Sequence, residues 1–313
     1  MPVICAPMFR VSGPELVIAA CKAGVIGTIA AANARTPDQF ASWIEQVTTA
    51  LRTYEQETGR RAAPFAVNLP VHSATDDARL VLDAHLATCR RFKPELVITV
   101  FGNPAEVIAE AHGWGGKVLH DVTTLHHAHK AIDAGVDGLV LIASGGGGHS
   151  GILNPFIFVS QIRSIFDGIV VLAGALADGA GVRAAEALGA DLCYMGTRFI
   201  ASAEAMAPND YKQMIIRAGA EDLVYTATFS HGVPAMMLRE SIRKWGYDPD
   251  NLPPYPGKDG PPLVAKPWKD IWAAGQSVAL IKDAPPVAVL VERLQREYRD
   301  ACARPCFGDT SHG

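Results

Sequence analysis

The clearest chemical signal in this 313-residue chain is a run of four glycines followed by a histidine. Residues 144–151 read Ser-Gly-Gly-Gly-Gly-His-Ser-Gly and directly follow the apolar run Gly138–Ala143. Glycines at the end of a strand present backbone that a ligand can approach without meeting a Cβ atom. The ionisable side chain beside that backbone is His149, and a neutral imidazole accepts a proton near neutral pH. The segment predicts a flat ligand resting on backbone, with His149 as a catalytic or substrate-orienting group.

Further candidate ligand-contacting residues fall where other apolar runs end. These positions are Pro7, Met8 and Phe9, then Asn68, His120 and Asp121, then Gly174 and Ala175, and finally Gly196 and Thr197. In a barrel of parallel strands the active site lies at the carboxyl ends of the strands, and the loops after the seventh and eighth strands often hold phosphate. The last four positions therefore predict a phosphate site, where Arg198 either adds charge or points to solvent. The implied ligand is a phosphorylated planar cofactor.

A cluster of histidines offers a metal site as an alternative. His120 and Asp121 come shortly before His126, His127 and His129, and an aspartate with two histidines can bind zinc or iron. The last three histidines lie on a predicted helix, where His126 and His129 share a face and His127 points elsewhere. We interpret them as a solvated helix face and predict no bound metal.

Short apolar runs alternate with helical patterns along the first two thirds of the chain. The predicted strands are Val3–Ala6, Val25–Ile29, Phe65–Leu69, Leu96–Phe101, Lys117–His120, Gly138–Ile142, Ile169–Ala173 and Leu192–Met195. Residues 128–139 and 182–193 repeat one order of helix, glycine, aspartate and strand, which is typical of the βα unit. The pattern predicts an α/β fold, a (β/α)8 TIM barrel. A doubly wound sheet is less favoured because no Gly-x-Gly-x-x-Gly follows the first strand.

The pattern changes after Ser202, and we predict a barrel domain over residues 1–202. Residues 203–313 are expected to form a helical and loop elaboration near the barrel mouth, with helices that help to close the barrel. The predicted helices are Glu204–Ala218, Ile271–Lys282 and Val287–Arg299, and Trp245–Trp268 is predicted as loop because it is rich in proline and glycine. His231 lies in a loop that either reaches the barrel mouth or stays exposed.

The composition limits the range of partners. The formal net charge is −4 and no sustained basic run occurs, which argues against nucleic acid or an anionic membrane surface as the main partner. No apolar stretch approaches the roughly 18–20 residues that span a bilayer. The first residues also lack the basic flank and apolar region of a signal peptide. We expect a cytoplasmic protein that acts on a small molecule.

Several segments together resemble the nitronate monooxygenase family, formerly called 2-nitropropane dioxygenases, nearly from end to end. The matching segments are Ala6-Pro-Met8, Gly24-Val-Ile-Gly-Thr-Ile-Ala30, Phe65-Ala-Val-Asn-Leu69, Gly147-Gly-His-Ser-Gly151, Ala177-Asp-Gly-Ala-Gly181, Met195-Gly-Thr-Arg-Phe199, Gly232-Val-Pro-Ala235 and Ala274-Gly-Gln-Ser277. The resemblance implies an FMN-dependent (β/α)8 barrel. It implies that His149 acts as a base or orients the substrate. The implied cofactor-binding residues are Pro7, Met8, Phe9, Asn68, Asp121, Gly147, Gly148, Gly174, Ala175, Gly196 and Thr197.

The activity implied by the resemblance is the oxidation of alkyl nitronates by FMN and O2, giving a carbonyl compound and nitrite. The chain departs from many relatives at Ile142, where a polar residue is common, at Gly145 or Gly146, where an acidic residue is common, and at Asp121, where some relatives have lysine. These departures leave the substrate open. A second interpretation is an NAD(P)H-dependent FMN reductase of quinones or enoyl thioesters, and a third is a non-redox barrel that binds a phosphate ligand or a metal.

Overall fold

A closed barrel of parallel strands forms the body of the protein. The computed structural model describes residues 1–71, 75–257, 260 and 263–305. The described strands are β1 (Val3–Cys5), β2 (Ile26–Ala30), β3 (Phe65–Pro70), β4 (Leu96–Val100), β5 (Lys117–Val122), β6 (Gly138–Ile142), β7 (Gly148–His149), β8 (Ile169–Ala173), β9 (Leu192–Met195), β10 (Leu223–Thr226) and β11 (Ala235–Leu238). Strands β1 to β6, β8 and β9 follow one another around the barrel, and β9 pairs with β1. The predicted TIM barrel and its strands are confirmed.

Helices follow the barrel strands and cover the outside. They are α1 (Pro14–Lys22), α2 (Pro37–Thr58), α3 (Asp76–Phe92), α4 (Ala105–Gly113), α5 (Leu125–Asp133), α6 (Pro155–Arg163), α7 (Gly179–Leu188), α8 (Thr197–Ile200), α9 (Asn209–Arg217), α10 (Arg239–Lys244) and α11 (Val287–Cys302). Helix α2 shows how local sequence sets the boundaries. Thr36 accepts the backbone N–H of Gln39 at 3.1 Å, Pro37 occupies the first turn, and Gly59 ends the helix in a left-handed conformation.

Alternating side chains of the barrel strands fill its interior. The inner core consists of Ile4, Ala6, Ala66, Leu96, Ile98, Leu119, Val140, Val171, Ala173 and Tyr194. Because side chains alternate along a strand, the residues two positions beyond Ala66 and Leu119 also face inward. These residues are Asn68 and Asp121, and they form a polar layer where the apolar interior ends. The strand pattern thus places polar groups at the carboxyl end of the barrel.

Two predicted helices in the C-terminal part differ from the structure. Helix α9 begins at Asn209 rather than Glu204 because Pro208 disfavours a helical conformation at the residue before it. The helix predicted over Ile271–Lys282 is wrong. Ala273 forms a β-bridge with Met237, and a short 3₁₀ helix over Gln276–Leu280 follows. The third prediction, Val287–Arg299, is confirmed as α11, which packs against α1 and α7 and completes the outer ring.

A small antiparallel sheet lies beside the barrel, and the sequence patterns did not predict it. Its strand order is β10, β11, β7. His149 of β7 pairs with Ala235 of β11, so the C-terminal part of the chain fixes the backbone of the histidine. The division of the chain at residues 202 and 203 stays a prediction. No helix in the described residues is long and apolar enough to cross a membrane.

Candidate active site

The carboxyl ends of the barrel strands enclose a cavity of about 1260 Å³, here called the strand-end cavity. All the residues predicted to bind the cofactor, together with His149, line this cavity. They are Pro7, Met8, Phe9, Asn68, Asp121, Gly147, Gly148, Gly174, Ala175, Gly196 and Thr197. Ligand sites commonly have volumes of about 300–1,000 Å³. The strand-end cavity therefore has room for a large cofactor and a second molecule.

Polar side chains form the floor of the cavity. Asn68 donates from Nδ2 to the carbonyl oxygen of Ile98 at 3.2 Å. Asp121 Oδ1 and the Tyr194 hydroxyl are buried and have no hydrogen-bond partner in the described part of the chain. Burial raises the pKa of Asp121 to about 8, so this carboxyl is mostly protonated at neutral pH. The floor is thus polar but largely uncharged, and it offers hydrogen bonds to a ligand.

His149 lies on the cavity wall, and its side chain is half-buried. Nε2 is buried without a partner in the described chain, and the ring makes a hydrogen bond with the backbone of Ser230 that raises its pKa. This contact favours the protonated form of the ring. Burial outweighs this contact and lowers the pKa of His149. The imidazole is therefore neutral at pH 7 and can accept a proton as a general base.

The glycine run does more than expose backbone to a ligand. A Cβ atom at Gly147 would lie 2.7 Å from the backbone nitrogen of Gly275, and one at Gly275 would lie 2.5 Å from the carbonyl oxygen of Gly145. The backbone N–H of Gln276 donates to that same oxygen at 2.9 Å. Part of the run is therefore glycine because two backbone segments of the protein meet there. This close approach corrects the interpretation of the run as a bare surface for a ligand alone.

The loops after β8 and β9 have the geometry expected for close backbone contact. Gly174 has φ +122°, and a Cβ there would lie 2.8 Å from the carbonyl oxygen of Ser144. Ala175 also has a positive φ, 55°, which is uncommon for a residue with a Cβ. The Thr197 hydroxyl accepts the backbone N–H of Gly275 at 2.9 Å. Its own proton stays available for a ligand oxygen.

Arg198 follows neither of the two predictions made for it. Its side chain is 3 % exposed, so it does not point to solvent. It donates to Asp283 Oδ1 at 3.2 Å and to the carbonyl oxygens of Ala201 and Asp283. Because these contacts hold the guanidinium against the segment before α11, Arg198 ties that segment to the barrel and does not line the cavity.

The other histidines divide between the cavity and the surface. His120 Nδ1 lies 2.8 Å from the Thr99 hydroxyl, and burial lowers the pKa of this histidine to about 4. The side chains of His126, His127 and His129 are exposed. Within the described ranges, no group of three or more histidine, cysteine, aspartate or glutamate residues could hold a metal ion. His231 does reach the cavity and lines it.

Sequence reasoning missed three side chains of the cavity. The sequence patterns did not single out Tyr194, whose inward position on β9 makes it a lining residue of the cavity. The alternation of side chains along β9 could have predicted this inward position. Phe101 and Trp268 also line the cavity, and their rings flank His149 at centroid distances of 6.1 and 5.2 Å. No periodic pattern pointed to these two because each lies in a loop.

Comparisons with known proteins agree with this architecture. A nitronate monooxygenase of Paraburkholderia phytofirmans is 30% identical, over 96% of this chain and 93% of its own length. A (3aS,4S,5R,7aS)-5-hydroxy-7a-methyl-1-oxo-octahydro-1H-indene-4-carboxyl-CoA dehydrogenase of Mycobacterium tuberculosis is 28% identical, over 77% of this chain and 64% of its own. The solved structure of a nitroalkane oxidase from Streptomyces ansochromogenes superposes with a TM-score of 0.80 at 26% identity, covering 96% of this chain and 97% of the other.

The family match and the similar proteins, together with this barrel, indicate an FMN-dependent oxidoreductase with a TIM-barrel fold. Residues 1–297 match the family model described as nitronate monooxygenase. The chain belongs to the nitronate monooxygenase family. The resemblance inferred from the sequence is thereby confirmed.

Proposed function

We propose that this protein is an FMN-dependent nitronate monooxygenase that oxidises alkyl nitronates with O2 to a carbonyl compound and nitrite. The observation that carries the proposal is the neutral imidazole of His149, which lines the strand-end cavity beside the glycine loops. Family membership and the similarity to a nitroalkane oxidase support the same reaction class. The cytoplasmic location expected from the sequence is part of this proposal.

The cavity fits FMN in its size, its polar floor and its glycine loops. Asp121 Oδ1 and the Tyr194 hydroxyl lack partners within the described protein, and the ring system of FMN has donors and acceptors along its edge that would complete them. The backbone at Gly174–Ala175 and Gly196–Thr197, with the Thr197 hydroxyl, would hold the phosphate. Arg198 would not contact it directly, because its guanidinium is committed to Asp283.

When bound, FMN would accept electrons from the substrate and pass them to O2. The protein's part is to position the substrate and to handle protons. A neutral nitroalkane must lose a proton from carbon before it is oxidised, and the neutral imidazole of His149 on the cavity wall would take it. A preformed nitronate has already lost that proton and needs His149 only for orientation.

The uncharged floor suits an anionic substrate. A nitronate has a negative charge, and an ionised carboxylate in the cavity would repel it. Because burial keeps Asp121 mostly protonated at neutral pH, the floor does not oppose binding of the anion. A protonated carboxyl can also donate a hydrogen bond.

Aerobic turnover tests this proposal. The purified protein reconstituted with FMN is mixed with an alkyl nitronate, and O2 consumption, nitrite and the carbonyl product are measured. We expect nitrite and carbonyl compound to form together while O2 is consumed. Bound FMN with no nitrite from any alkyl nitronate would overturn the proposal, and so would failure to bind FMN, which would favour a non-redox barrel.

A second candidate is an FMN reductase of quinones or enoyl thioesters that uses NAD(P)H. The observation in its favour is the similarity to a dehydrogenase whose name specifies a carboxyl-CoA compound. The volume of the cavity also admits a substrate larger than a small nitronate. Rapid oxidation of NADH or NADPH on addition of a quinone or an enoyl thioester, without nitronate turnover, would establish this function instead.

A further inference from the structure

Strained backbone conformations gather around the strand-end cavity. In the described chain the non-glycine residues with positive φ are Arg10, Lys93, Phe101, Ala175, His231 and Trp268. Lys93 ends helix α3, where a left-handed residue is common. The last four of the six line the cavity. Strained residues persist where the surrounding structure holds them, and they cluster at ligand-binding sites.

Phe101 is the most informative of these residues because it is bulky and its ring lies beside His149. It follows the last residue of β4 with φ 61°, a conformation that disfavours a bulky side chain. Its side chain nevertheless remains 46% exposed. A residue that is both strained and exposed gains little from burial. Its ring lies edge-on to His149, at 6.1 Å between centroids and 81° between planes.

Trp268 is also held close to His149 by a tight turn. Its backbone N–H donates to the carbonyl oxygen of Ile271 at 3.0 Å, and the N–H of Asp270 returns to the carbonyl oxygen of Lys266. The indole lies 5.2 Å from the His149 ring, and its edge carbons would be 3.4 Å from a Cβ at Gly148. The turn and the glycine together fix the indole beside the proton acceptor.

This aromatic side of the cavity presents large apolar side chains, with Asn103 and His231 as polar neighbours in the same loops. Val233, which also lines the cavity, is 50% exposed. Among the described side chains that line the cavity, those with a formal charge are Asp121 on the floor and Lys130 and Asp133 on α5. None belongs to the loops of Phe101, Val233 or Trp268. A ligand body that contacts these loops gains from burying hydrocarbon and from aromatic contacts, and meets no ionic partner.

We propose that Phe101 and Trp268 form an aromatic clamp that selects substrates with a flat, bulky hydrocarbon body, such as an aryl-substituted nitronate, over small ones. The anionic head of such a substrate lies near His149 and its hydrocarbon body packs against the two rings. This inference rests on the proposed function for the identity of the head group. The clamp itself follows from the rings, their strained backbone and the apolar rim.

Unreactive carboxylates test the clamp separately from turnover, because a carboxylate resembles the flat anionic head of a nitronate. Phenylacetate and acetate are titrated into the FMN-loaded enzyme, and binding is followed by calorimetry and by the change in flavin absorption. We expect phenylacetate to bind at least about tenfold more tightly than acetate. Equal affinities would overturn the clamp.

Variants of Phe101 distinguish the contribution of its aromatic ring from that of its backbone conformation. Asparagine tolerates positive φ, so Phe101→Asn should leave the melting temperature unchanged or higher. It should raise the Kd for phenylacetate about tenfold and the Kd for acetate by less than about twofold. Phe101→Tyr keeps the ring and should keep the preference. Phe156→Asn, which changes an exposed phenylalanine away from the cavity, is the control. Equal weakening of both ligands in Phe101→Asn would overturn the proposal.

The two proposals fail in different ways. A preference for phenylacetate that depends on Phe101, in an enzyme that oxidises no nitronate, would support the clamp and overturn the proposed function. Nitronate oxidation with no preference for aryl over small substrates would support the proposed function and overturn the clamp.

Discussion

The strand-end cavity has two sides that are built differently. The glycine side, formed by residues 145–148, Gly174 and Gly196, brings backbone to the ligand and to the segment around Gly275. The aromatic side, formed by Phe101, Val233 and Trp268, presents large side chains on irregular loops. His149 lies where the two sides meet. The difference indicates that the glycine side is suited to a cofactor held through its edge and phosphate, and the aromatic side to a variable substrate.

Removal of the His149 imidazole, which lies where the two sides meet, should have the largest effect on turnover. We expect His149→Ala to retain FMN, since none of the loops proposed to hold the phosphate depends on the imidazole. Turnover of a neutral nitroalkane should fall about 10²–10⁴-fold through loss of the general base, and turnover of a preformed nitronate should fall less. Steady-state rates with both substrate forms check this. Normal turnover of both forms by the variant would show that the assigned role is wrong.

A single methyl group tests the glycine side. Gly147→Ala places a Cβ 2.7 Å from the backbone nitrogen of Gly275, so the two segments must separate. We expect the free energy of unfolding to fall by about 1–3 kcal/mol, as for overpacking, and FMN to bind more weakly. Urea unfolding and FMN titration measure the two effects.

The matched control for that variant is Gly113→Ala. Gly113 is the last residue of α4, and a Cβ atom there would meet nothing within 4 Å beyond its own helix and chain neighbours. This change should be neutral or slightly stabilising. If Gly147→Ala behaves like Gly113→Ala, the close approach of the two segments is not what requires glycine there.

A change at Asp121, on the floor of the cavity, should have a smaller and pH-dependent effect on the free energy of unfolding. The folded protein keeps a proton on Asp121 up to about pH 8 because burial raises the pKa of this carboxyl, whereas the unfolded chain releases it near pH 4. Stability from this group is therefore full below about pH 4 and is lost as the pH rises to 8. Asp121→Asn has no carboxyl to ionise, so it should not lose stability for this reason as the pH rises.

The measurable consequence is a difference between two proteins at two pH values. In the cofactor-free state, the stability of Asp121→Asn relative to the natural protein should rise from pH 5 to pH 8. We expect a rise on the order of 1 kcal/mol, because water in the open cavity screens part of the burial. A difference that is constant with pH would mean that Asp121 is ionised throughout, and the uncharged floor would be incorrect.

The two sides also differ in how far the sequence predicts them. Runs such as Gly138–Ile142 are buried on both faces, so continuous apolar residues identify the strands, and the strand ends then locate the glycine side. The aromatic side depends on contacts distant in sequence. Phe101 and Trp268 have conformations that no local pattern favours. The helix expected at Ile271–Lys282 gave way to an extended segment because Gly275 packs against Gly147.

Anaerobic stopped-flow reduction of the FMN-loaded protein distinguishes the proposed nitronate monooxygenase from a reductase. The flavin absorption is followed after mixing with an alkyl nitronate, with NADH or with NADPH. We expect the nitronate to bleach the flavin absorption rapidly and either nucleotide to change it little. Rapid bleaching by NADH or NADPH, with none by the nitronate, would contradict it and assign the strand-end cavity to a reductase.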